Sequence, residues 1–181
     1  MLALYFLVCP GMGVPATFPG NEVFYSTVDD QSYAPSVADM SVWASTTEQC
    51  HNEDFVHVNE CPEPDFRASG SYRTKMENNS SMIDWARDKR PDWMSICQKY
   101  GGNADAFDWE TWGFFDWSIG KTWPTLGTNN KARRYSWTKV DDTLESWFET
   151  YKTFEAAGIL PKGGGRTENC QVGKTNGVHA I

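Results

Sequence analysis

Positive charge is scarce in this chain of 181 residues: 16 Lys and Arg stand against 24 Asp and Glu, with three His, for a formal net charge of −8. A surface of that sign repels phosphate backbones, which argues against nucleic acid as a partner. Long apolar runs are also missing. The longest, MLALYFLVCP from Met1 to Pro10, falls far short of the roughly 20 residues of a membrane span, so no membrane partner is expected. The five cysteines, Cys9, Cys50, Cys61, Cys97 and Cys170, form no C-x-x-C pair, and common redox and structural-zinc patterns are therefore absent. G-x-G-x-x-G, G-x-S-x-G and H-E-x-x-H do not occur. With them go the fingerprints of a dinucleotide cradle, a hydrolase nucleophile and a zinc protease. No convergent set of acids and histidines remains, so no catalytic, cofactor-binding or metal-ligating residue is assigned.

Aromatics are what the chain has in excess: nine Trp, ten Phe and seven Tyr. Side chains of that size need a core or a pocket. Their densest run is FDWETWGFFDWSIGKTWPTLG, from Phe107 to Gly127. Wound as a helix, it places Trp112 and Phe115 on one face, with Ile119 a turn further on. Most of these rings are expected to pack a core and a subset to wall an apolar pocket, with Asp108, Asp116 and Lys121 at its polar edge.

Around this block the pattern alternates between order and punctuation. Leu2 to Cys9 reads as a short buried helix, and Phe18-Pro19-Gly20-Asn21 as a turn. Glu22 to Val28 and Phe55 to Val58 read as short strands. Pro35 suits the first turn of a helix running to about Ser45. Ser81 caps a helix with Asp84 three residues on. Pro91 opens another, which Gly101-Gly102 ends. The last helix is capped by Asp141 or Asp142 and carries Leu144, Trp147, Phe148, Tyr151 and Phe154 on one face, with Gly158 and Pro161 stopping it. The expected organisation is a first segment over 1–59 (helix, strand, helix, strand), an irregular loop over 60–80, a helical aromatic-rich segment over 81–162 and a flexible Gly-rich tail over 163–181.

Three motifs tempt a stronger reading. Tyr135-Ser-Trp-Thr-Lys139 has the Tyr-x-x-x-Lys spacing with which a lysine lowers a catalytic tyrosine's pKa, but a loop is expected there. Gly173-Lys174-Thr175 imitates a phosphate loop, yet Glu168 stands where the first glycine belongs. Cys50, His51, His57 and Cys61 match no common zinc spacing.

The order of short motifs resembles one enzyme group. It comprises FPGN (Phe18 to Asn21), Val42-Trp43-Ala44, Asn52-Glu-x-Phe55 with Val58-Asn59, Lys131-Ala132-Arg133, Asp142-Thr-x-x-Ser-Trp147 and Ile159-Leu160-Pro161. Over roughly residues 1–59 and 82–162 the chain resembles the progesterone 5β-reductase/iridoid synthase-like branch of the extended short-chain dehydrogenases, in particular its fungal members. The resemblance implies an α/β fold, or α+β for this stretch in isolation: the C-terminal substrate-binding lobe of a Rossmann-type enzyme, mainly helical with a few short strands. It implies NADP or NAD as the family cofactor and hydride transfer to a carbonyl or enone metabolite. The family's dinucleotide loop and catalytic Lys and Tyr match nothing here, so tight cofactor binding by this chain alone is not expected. On that basis a truncated product is expected, probing an apolar small molecule with Trp112, Phe115 and Trp117, and with Met40 and Trp43 facing them. It would be cytoplasmic and able to pair with a full-length relative.

The alternative is a small secreted, Trp-rich, disulfide-linked binding protein. Met1 to Ala16 has the length of a leader, though no Lys or Arg precedes its apolar run. Without it four cysteines would remain, and Asn78 and Asn79 each begin an N-x-S sequon.

Overall fold

The computed structural model describes residues 1–26, 29–59 and 79–163. Their secondary structure is helical: α1 (Leu2–Gly11), α2 (Glu22–Ser26), α3 (Ala34–Thr46), α4 (Met82–Ala86), α5 (Arg90–Tyr100), α6 (Trp112–Ile119), α7 (Asn130–Arg134) and α8 (Thr143–Ala156), with 3-10 turns at Glu48–Cys50 and Ala104–Phe107. Most of the loop expected over 60–80 and all but Gly163 of the tail expected over 163–181 lie outside the described residues.

Helix α1 is apolar all round, the mark of a helix packed on more than one side. One face inserts Leu4 and Val8 among Trp93 and Ile96 of α5, Ala86 of α4, Phe107 and Leu160. The next face inserts Tyr5 and Cys9 against Met82 of α4 and Phe115 and Ile119 of α6. The stretch weighed above as a leader thus supplies side chains to both clusters. A third cluster, centred on Met40 of α3, Ala132 of α7 and Trp137, involves neither α1 nor α6.

Several caps form as their residue types dictate. Ser81 Oγ accepts the Asp84 N–H at the start of α4. Asp142 Oδ1 accepts the Glu145 N–H at the start of α8. Gly101, at φ +82°, ends α5 in a region that costs other residues backbone strain.

Neither expected strand forms among the described residues. Glu22 begins a helix instead, because Asn21 Oδ1 accepts the Phe24 N–H at 2.8 Å and caps it. Phe55 to Val58 forms no regular element, and its backbone groups pair with side chains rather than with a second strand among the described residues. Asn129 satisfies both backbone groups of Val58, accepting its N–H at 3.0 Å and donating to its carbonyl at 2.6 Å. Ser32 Oγ donates to the His57 carbonyl. Backbone groups satisfied in this way have no need of a ladder. The architecture of the described residues is therefore all helical, where a few short strands are expected from the pattern.

Candidate functional site: an apolar cavity beneath α8

The FPGN turn positions the site. Asn21 is buried, and its Nδ2 donates to the carbonyls of Gly120 and Lys121 at 2.9 and 3.3 Å, clamping the turn to the end of α6. A Cβ on Gly20 would lie 2.8 Å from the Ile119 carbonyl oxygen, so only glycine admits this approach. The clamp brings Phe18 and Phe24, stacked with centroids 6.1 Å apart, beside Phe115 and Ile119. Trp147, Tyr151 and Phe154 of α8 close the other side, with Leu2 and Ala3 of α1 at the base. The cavity, a cleft open to solvent on one side, is about 530 Å³, within the range of small-molecule sites. Ala3 and Tyr151 also belong to an adjoining cavity of about 260 Å³ that extends along the outer face of α1 past Phe6 and Leu7.

Polar groups converge at one end of the larger cavity. Asp29, Asp30 and Gln31 form part of its wall. Lys121 Nζ donates to both oxygens of Asp29 at 2.8 Å and lies 5.5 Å above the Phe24 ring. Asp29 also accepts the Thr125 N–H, and Asp30 accepts the Gly127 N–H. Burial holds the Tyr151 phenol in its neutral form by raising its pKa.

The five pocket residues expected from the sequence are not brought together. Phe115 lines the cavity. Trp112 lies behind it, in ring contact with Trp85, Phe107 and Phe115. Trp117 is 52% exposed and packs on the equally open Phe114. Met40 and Trp43 sit in the third cluster, where Trp43 contacts Phe55 and Trp137. Of the expected polar edge, only Lys121 reaches the cavity, through Asp29. Asp108 is bound by Arg90, and Asp116 accepts the N–H groups of Met82 and Ile83. The wall contributed by Phe18, Phe24, Trp147 and Phe154 was not expected from the sequence. Its signal is present in the FPGN turn and in the apolar stripe of α8. That stripe is split: Leu144 and Phe148 are exposed away from the cavity, Trp147 and Tyr151 are half-buried in its wall, and Phe154 lines it while remaining 40% exposed.

Of the tempting motifs, Tyr135-x-x-x-Lys139 takes a structural role. Lys139 Nζ is bound to Asp39 at 2.5 Å rather than to Tyr135. Burial first, then the Glu53 carboxylate, raises the Tyr135 pKa, the opposite of what an activated phenol requires. Gly173-Lys174-Thr175 lies outside the described residues, as do Cys61, Cys170 and Asn78. Cys9, Cys50 and Cys97 are free thiols, and burial pushes each pKa up, which keeps the reactive thiolate scarce. Among the described residues no group of three or more His, Cys, Asp or Glu could hold a metal ion, and no helix is long and apolar enough to cross a membrane.

Two curated proteins are similar to this chain along most of its length. The chain is 29% identical over 187 aligned residues to the short chain dehydrogenase gsfE of Penicillium aethiopicum, covering 89% of this chain and 48% of that protein. It is 27% identical over 207 aligned residues to an uncharacterized protein of Schizosaccharomyces pombe, covering 89% of this chain and 51% of that protein. No protein-family model matches the chain. Along most of its length the chain is thus similar to part of a protein named as a short chain dehydrogenase. The chain spans about half the length of the curated relatives it matches.

Proposed function

We propose that this chain is the substrate-binding part of an NAD(P)H-dependent reductase of the progesterone 5β-reductase/iridoid synthase-like branch. Its substrate is a carbonyl or enone metabolite of the secondary-metabolite kind, and its setting is the cytoplasm. The observation that carries the reading is the similarity to a short chain dehydrogenase along 89% of the chain, joined to an apolar cavity of small-molecule size. In this reading the cavity beneath α8 receives the apolar body of the substrate, with Phe115, Trp147 and Phe154 as its walls.

In this reading the described residues do not themselves hold the nicotinamide cofactor. A pyrophosphate cradle needs a glycine-rich turn between a strand and a helix, and no strand is present among them. In this reading a dinucleotide-binding half outside residues 1–181 supplies the cofactor, in the same polypeptide or through pairing with a full-length relative. These residues would bind and orient the substrate and exclude water from it.

Two titrations of the purified chain test the proposal. A series of apolar enones should bind saturably, and Thr150→Trp, which projects bulk into the cavity, should weaken them at least tenfold. NADPH should not bind saturably. Saturable NADPH binding, or enone affinity indifferent to the cavity-filling variant, would overturn the division of labour proposed here.

A further inference from the structure

Asp29 and Asp30 both belong to the cavity wall, and Lys121 pairs with the first of them. Lys121 is held on both oxygens of Asp29, with side-chain exposures of 12% and 14%, and its third contact is Thr125 Oγ1. That cation is already committed. Asp30 accepts only the backbone N–H of Gly127, and no lysine or arginine among the described residues pairs with it. The stacked pair of Phe18 and Phe24 lies on the same wall, and Phe24 already holds the Lys121 ammonium above its ring. Carboxylate and aromatic faces both favour positive charge and disfavour negative charge. Met1 also lines the cavity, and Glu110 holds its terminal ammonium at 2.6 Å, so that cation too is committed. The remaining wall is apolar apart from Gln31 and the hydroxyls of Ser118, Thr150 and Tyr151. Ser118 and Thr150 direct their hydroxyl protons to carbonyls of their own helices.

We infer that the cavity selects its ligand by charge: it takes an apolar molecule whose polar end is neutral or a basic nitrogen, and it rejects a carboxylate at the same place. The inference rests on the cavity being the substrate site proposed above. It narrows the substrate to a neutral or amine-bearing carbonyl compound. Asp30 supplies the unneutralised charge, and Lys121 serves to hold Asp29 in the wall rather than to receive an anion.

The test uses three probes with one tail: decylammonium, decanol and decanoate, titrated below their aggregation limits at low ionic strength. Trp147 lines the cavity, so tryptophan emission reports occupancy. Decylammonium is expected to bind roughly tenfold more tightly than decanoate, with decanol between them. Asp30→Asn should collapse that spread. Asp88→Asn, which removes the same charge from a site outside the cavity wall, should leave the spread intact. If the Asp30 variant does not fold, added salt provides the second measurement, since it should narrow the wild-type spread. Equal binding of the three probes, a spread insensitive to salt, or an equal effect of Asp88→Asn overturns the charge inference while the pocket proposal stands. Decanol that fails to saturate, or that binds equally well to Thr150→Trp, overturns the pocket proposal and the inference with it.

Discussion

The imidazole of His57 and the carboxylate of Asp141 meet at 3.1 Å, with side-chain exposures of only 5% and 9%. The second oxygen of Asp141 accepts the Ser36 hydroxyl at 2.8 Å. One carboxylate therefore ties the 55–59 segment, α3 and the entry to α8 together. His57 Nδ1 and Trp137 Nε1 are buried without a partner, so this region has little polar satisfaction to spare. Asp141→Ala removes the shared acceptor and leaves two further buried groups unpaired. The expected loss is about 2–3 kcal/mol, measured by urea denaturation. A double-mutant cycle with His57→Phe should show that the two changes are not additive.

Gly20→Ala tests the FPGN clamp. The added methyl meets the Ile119 backbone carbonyl at 2.8 Å and the Phe18 ring at 2.7 Å. Backbone cannot step aside as a flexible side chain can. A destabilisation of about 1–3 kcal/mol is expected, together with weaker binding of any ligand that contacts Phe18 and Phe24.

At the N-terminus of α8 the cap is a single side chain. Asp142→Ala leaves the Glu145 N–H without its 2.9 Å acceptor and is expected to cost about 1 kcal/mol. Because α8 carries Trp147 and Phe154 into the cavity wall, fraying there should also reduce ligand affinity. Asp142→Asn, which keeps the cap, should restore both.

Acid should weaken one surface link specifically. Lys131 bonds Glu53 at 2.9 Å and Asp54 at 3.0 Å, and these bonds hold both carboxyls below their ordinary values of 4.5 and 3.8. A depressed folded-state pKa contributes stability that is present above the unfolded value and lost as pH falls through the folded one. The difference in Tm between wild type and Lys131→Met should therefore be constant from about pH 5 to 8 and shrink below about pH 4. A difference that grows on acidification would contradict the link.

Trp117 and Trp147 should behave differently towards ligand. Trp117 stacks on Phe114 at the surface, whereas Trp147 lines the cavity. Trp117→Phe should leave the ligand-induced change in emission intact, and Trp147→Phe should remove most of it. The reverse result would place the binding site on the outer face of α6.

Much of the helical framework was legible locally. Ser81 and Asp142 cap where their sequence positions indicate, and Gly101 stops α5. These are contacts within four residues, and short-range chemistry decides them. The misread segments were those whose partners lie far along the chain. Glu22 to Val28 has strand-like residues, but Asn21, itself anchored 99 residues away on Gly120, starts a helix there. Val58 has strand character but pairs with an amide 71 residues on.

The site divides in the same way. Sequence alone determined that the chain is acidic and rich in aromatics, that it lacks a dinucleotide loop, and that Phe115 shares a helical face with Trp112. It also carried the order of short motifs on which the resemblance to short-chain dehydrogenases rests. Tertiary structure decided which rings face a cavity. It joined Phe18, Phe24, Phe115 and Trp147, set Met40 and Trp43 apart in another cluster, and placed Asp29 and Asp30 at the cavity's end. The physical reason is range. Caps and helical faces follow from neighbours within a turn or two, whereas a cavity is the space left when distant elements pack, and no residue along the chain encodes it singly.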